Sequence, residues 1–174
     1  IKPVDFFDLA QAITRGLKTI DQIKADEAEL KRLQEIEKEM DMAKKILTKT
    51  AQLYRRTATT HKFPPYDEFI KKRGLNEEIA TLYSLGFSPA KNSICDYLSS
   101  IPNEKERTFA LSIAEELGLI KRDRHNQESH YDTFRDRIIF PIWDQFGQVI
   151  GFTSRAIRED QKAKYMNSID SFVF

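Results

Sequence analysis

The chain has 174 residues, with 40% hydrophobic and 32% charged side chains and a formal net charge of +1. That length allows one domain with an appendage, and the near-neutral balance excludes bulk charge as an argument for a nucleic-acid or membrane partner. A single cysteine, Cys95, excludes an internal disulfide, and His61, His125 and His130 have no cysteine partners at zinc spacing.

Val4 to Thr14 predicts a short apolar helix broken at Gly16. Thr19 to about Thr57 lacks Gly and Pro and is rich in helix formers, so it predicts one long helix. Leu33, Met40, Leu47 and Tyr54 recur every seven residues, with Ile36, Ala43 and Thr50 three later. This narrow stripe suits a helix lying on its own domain, or a coiled coil with a seam weakened by Ala43 and Thr50. Acids crowd residues 19–41, whereas residues 42–62 hold Lys44, Lys45, Lys49, Arg55, Arg56 and Lys62 and no acid. The helix macrodipole favours this order but fades beyond the end turns, so a phosphate-facing surface competes with it.

Pro64-Pro65 marks a boundary, which divides the chain into a helical segment or linker at 1–62 and a core at 63–174. Tyr66 to Arg73 predicts a short helix. Asn76 caps another, with Glu77 and Glu78 in its first turn and Gly86 ending it. Residues 92–100 predict a short helix. Asn103 with Glu106 opens one that runs to Gly118, and Lys121 to His130 is a polar loop. Ile138 to Ile142 and Val149 to Phe152, joined by Asp144-Gln145-Phe146-Gly147, predict a β-hairpin. A small antiparallel sheet built around it, at about 137–157, makes the fold class α+β. Trp143, Phe134, Phe140 and Phe152 are expected to pack, and Cys95 to be a buried small hydrophobe. No apolar run reaches the length of a membrane span, and no signal peptide is expected.

Basic residues cluster around the hairpin: Arg135 and Arg137 before it, then Arg155, Arg158, Lys162 and Lys164. Arginine forks grip phosphate with paired hydrogen bonds, and lysine acts as a mobile point charge. Asp132 and Asp136 alternate with Arg135 and Arg137 and could pair with them locally. No Walker or dinucleotide glycine loop is present, and Asp132, Asp136 and Asp144 form no convincing metal cluster.

Four segments carry a family resemblance. They are Arg73-Gly74-Leu75, Leu85-Gly86-Phe87-Ser88-Pro89, Tyr131 to Ile142 followed by Gly147 to Arg155, and Lys164-Tyr165-Met166-Asn167-Ser168. In this order they resemble the N-terminal part of the catalytic core of bacterial DnaG-type primases, over roughly residues 63–174. The resemblance implies an α+β subdomain of an RNA polymerase that makes primers for replication. Arg73, Arg155, Lys164, Tyr165 and Asn167 would hold single-stranded DNA template and NTP, supported by Arg135, Arg137, Arg158 and Lys162. It further implies an RNA primer, a replicative helicase partner and a cytoplasmic setting. Mg²⁺ or Mn²⁺ would sit in a Toprim domain beyond Phe174, and Zn²⁺ in a possible N-terminal domain. This segment itself is then expected to hold no cofactor and to be inactive alone, as a piece of a longer protein. The chain departs from the family pattern at Thr153-Ser154, where Gly-Gly is usual, and at Ile169-Asp170-Ser171, so the backbone there should differ. The competing expectations are a non-catalytic nucleic-acid-binding adaptor and a helical protein-interaction scaffold.

Overall fold

Helix α1, Ile20–Thr60, enters two compact units that divide at Glu39/Met40. The computed structural model describes residues 20–60, 64–126 and 129–168. The helix expected at Val4 to Thr14 lies outside the described residues. In the first unit, Leu30, Leu33 and Ile36 are exposed. In the second, the same heptad stripe is buried at Ala43, Leu47, Thr50 and Tyr54.

The second unit continues with α2 (Pro64–Lys72), α3 (Glu77–Leu82), β1 (Gly86–Ser88), α4 (Ser93–Ser99) and α5 (Glu104–Glu116). Then come β2 (Ile120–Arg122), β3 (His130–Asp132), β4 (Arg137–Trp143), β5 (Val149–Ala156) and β6 (Tyr165–Asn167). Asn76 Oδ1 accepts from the Ile79 amide at 2.8 Å, and Asn103 Oδ1 from the Glu106 amide at 3.0 Å, so both expected caps close otherwise orphaned donors. Gly118 ends the α5 turn at φ +69°, a conformation that favours a residue without Cβ.

The hairpin forms as its sequence dictates. Asp144 Oδ1 accepts from the amides of Phe146 and Gln148, both at 2.8 Å, and Gly147 takes φ +75°. The β4–β5 pair is the centre of an antiparallel sheet of order β1-β4-β5-β6, and β2 and β3 form a separate ribbon. Ile138, Ile139, Val149, Ile150 and Phe152 are all buried because both sheet faces are covered. On one side Ile139 and Phe152 join Leu47 and Tyr54 of α1 and Leu98 and Ile113 of α4 and α5. The Tyr54 and Phe152 rings meet edge to face at 5.8 Å. On the other side Ile138 joins Tyr66 and Ile70 of α2, with Phe69 against Phe140 at 6.2 Å.

Several expectations change. Gly86 does not end a helix: α3 stops at Leu82, Ser84 takes the left-handed position at φ +50°, and Gly86 opens β1. The loop expected over Lys121 to His130 begins and ends in the paired strands β2 and β3. The hydrophobic core also reaches back to Ala43, across the boundary drawn at 62/63.

Candidate nucleic-acid interface

The antiparallel register decides which basic side chains meet. Ile138 lies opposite Arg155, and Arg155 opposite Tyr165, so these three share one sheet face, the face covered by α2. Just past α2 stands Arg73, one helical turn from Phe69. The segment 157–164 loops from β5 to β6 and brings Arg158 and Lys164 to the same place.

These parts enclose a cleft of about 480 Å³. It is lined by Lys72, Arg73, Arg155, Arg158 and Lys164, against the acids Glu68 and Glu159. Phe69 is its hub: the Arg155 guanidinium lies 5.2 Å from the ring centroid and that of Arg73 lies 5.8 Å away. Tyr165 is the second aromatic face, 5.9 Å from the Arg155 guanidinium and 5.9 Å from Lys164 Nζ. An aromatic face attracts a cation without cancelling its charge, so the positive groups are oriented yet remain available. Arg73, Arg155 and Lys164 make no ion pair among the described residues, whereas Arg158 is held by Asp136 at 3.3 Å and Asp160 at 3.2 Å.

The cleft wall is pinned from beneath. Arg137 is buried and its Nη2 donates to the Ala163 carbonyl at 2.7 Å; burial pushes its pKa down. Gln161 Oε1 accepts from the amides of Ile157 and Arg158, and its Nε2 donates to the Arg135 carbonyl at 3.0 Å. The Ala156 amide donates to the Lys164 carbonyl at 2.8 Å. Ser154 fits a regular strand despite its side chain: it is buried, and its hydroxyl donates to the Met166 carbonyl at 3.0 Å.

The structure therefore brings Arg73, Arg155, Arg158, Lys164 and Tyr165 together. Asn167, opposite Thr153, is exposed on the same face of the edge strand but does not line the cleft. Lys162 is exposed outside it. Arg135 turns elsewhere, donating to Asn92 Oδ1 at 2.9 Å with its guanidinium 4.9 Å from the Tyr131 ring centroid. Arg137 supports the wall from within. The local acid–base pairing weighed from sequence is replaced by longer connections. Asp136 holds Arg158, and Asp132 is buried, accepting from the Ile94 and Cys95 amides at 2.9 and 3.0 Å. Burial raises the Asp132 carboxyl pKa, and these amide bonds partly oppose that. Burial likewise pushes the Cys95 thiol well above its usual range, which leaves it a neutral core group.

Sequence reasoning passed over Phe69, Lys72 and Gln161. The i, i+4 spacing of Phe69 and Arg73 on a helix was the available signal. Chemically the cleft can grip and orient a polyanion. Among the described residues no group of three or more His, Cys, Asp or Glu could hold a metal ion. No described helix is long and apolar enough to cross a membrane.

Residues 53–174 match the family model of the DNA primase catalytic core, N-terminal domain. A DNA primase of Legionella pneumophila is 36% identical over 107 residues, covering 62% of this chain and 17% of the relative. The chain spans 16–20% of the length of curated relatives it matches. A solved DnaG primase catalytic domain bound to single-stranded DNA superposes with a TM-score of 0.66 at 24% identity, covering 78% of this chain and 41% of that one. The Aquifex aeolicus primase, solved with its zinc-binding and RNA polymerase domains, gives 0.65 at 29% identity, with 78% and 31% covered.

Proposed function

This chain belongs to the DNA primase family, as the N-terminal domain of the catalytic core, and on that premise we propose that its cleft positions single-stranded template and incoming nucleotide for primer synthesis. One observation carries the reading. Arg73, Arg155 and Lys164 come from three separate elements and converge around two aromatic rings with their charge unspent. Such a site suits a strand whose phosphates meet guanidinium and ammonium groups while its bases stack on exposed rings, and Tyr165 is 59% exposed.

The residues act by binding and orientation. Arg155 offers a planar fork to phosphate, Lys164 a mobile charge, and Tyr165 a stacking face. Asn167, beside them on β6, supplies an amide for sugar or phosphate. Arg135 and Arg137 act as supports, one on the Asn92 side and one under the wall. The nucleotidyl transfer itself needs clustered carboxylates around Mg²⁺ or Mn²⁺, which we assign to a Toprim domain of the whole protein. In that protein the reaction is RNA primer synthesis on DNA in the cytoplasm, alongside a replicative helicase; a zinc-binding domain completes this reading.

The test is single-stranded DNA binding by fluorescence anisotropy across a salt series. Removing one phosphate-binding side chain should flatten the slope of log affinity against log salt by about 0.7. R155A and K164A should each weaken binding and flatten the slope with little change in melting temperature. Unchanged affinity in both variants would remove the cleft from the template path.

A further inference from the structure

We propose that a second track for single-stranded nucleic acid runs along α1 where it meets the hairpin tip, with Trp143 as its stacking platform. Lys44, Lys45, Lys49 and Arg56 make no ion pair among the described residues. The macrodipole does not explain them, because the last turn of α1 carries no basic residue at all. Arg55 is the exception in this stretch. It pairs with Glu77 at 2.7 Å and donates to Tyr66, Thr81 and the Leu85 carbonyl, so it serves the fold.

Two adjoining grooves, about 540 and 560 Å³, share Thr48, Gln52, Gln148 and Val149 and form one channel. The three lysines and Tyr97 line one end; Arg56 and Trp143 line the other. No acid lines either groove, and neither shares a residue with the cleft described above. Trp143 sits at the register shift that ends β4 and is 42% exposed. A row of ammonium groups beside a flat aromatic face matches an occupant with an anionic backbone and exposed ring faces. A single strand has both, while a duplex hides its base faces.

Trp143 is the chain's sole tryptophan, so its fluorescence reports on this surface directly. The 174-residue chain is titrated with oligo(dT), oligo(rU) and a duplex, following both tryptophan emission and the anisotropy of labelled oligonucleotide. Quenching by either single strand supports the track, and the stronger quencher names the strand it carries. K45A/K49A should lose the quenching and flatten the salt slope by about 1.4, the value for two phosphates. R73A/R155A, which strips the cleft of its guanidinium groups, should keep it. W143A, followed by anisotropy, should bind roughly 5- to 100-fold more weakly. Emission that stays constant while labelled strand saturates, or quenching unaltered in K45A/K49A, would overturn the track without touching the cleft. Equal quenching by duplex would overturn its single-strand assignment.

Discussion

Asp132 illustrates how little of a residue's role can be visible in its neighbourhood. Among Tyr131, Arg135 and Arg137 it looks like half of a surface ion pair, yet its carboxylate closes the N-terminus of α4, 38 positions earlier. Removing it leaves two buried amide donors unpaired, so D132A should lose about 2–4 kcal/mol in urea unfolding. Its folded pKa is raised, so the folded chain binds the proton more tightly than the unfolded chain. The carboxyl's contribution is therefore largest below the usual aspartate range and shrinks as pH rises through the raised value. The stability gap between wild type and D132A should accordingly narrow with rising pH, and a gap that widens would contradict the burial argument. The grouping of Arg73, Arg155 and Lys164, which line one cleft, was readable from side-chain chemistry and motif wording alone. The opposite fates of Arg135 and Arg137 were not, because they depend on Asn92 and Ala163, which lie far off along the chain.

Elements with local signals were legible and the shortest ones were not. The hairpin carries its own turn and alternation, and α3 and α5 carry their own caps. Strands β1, β2, β3 and β6 have three residues each, too few to show a period, and exist because a partner strand pairs with them. Gly86 was misread for this reason. A Cβ added there would lie 2.6 Å from Tyr54 Cβ and 2.8 Å from the Tyr54 carbonyl carbon, so only glycine lets β1 lie this close to α1. G86A should cost about 1–3 kcal/mol through overpacking, and G86V more. Gly74 is the control: it has φ +64° but nothing within 4 Å of an added Cβ, so G74A should cost only about 1 kcal/mol of backbone strain. Thermal melts of the three variants separate the two causes. Equal destabilisation in G86A and G74A would show that steric crowding by α1 is not what constrains Gly86.

At the level of the whole molecule, Pro64-Pro65 opens α2 without marking the edge of a core. The heptad stripe of α1 is buried from Ala43 onward against the sheet and α5, and the second compact unit begins at Met40. A chain starting at Met40 should therefore melt cooperatively at the temperature of the 174-residue chain, as checked by calorimetry. A fall of many degrees would place stabilising interactions before that point. The sequence showed the stripe but not where its partner surface ends, since burial is a property of both sides. The carboxylate that closes α4 also bears on the expected order of assembly. Helix α5 takes its cap from Asn103 next door and can close as soon as its own turn forms. Helix α4 instead takes its closing carboxylate from the β2–β3 ribbon, with the loop-closure entropy that separation entails, so amide protection of Ile94 and Cys95 is expected to trail that of the hairpin in pulse-labelled refolding.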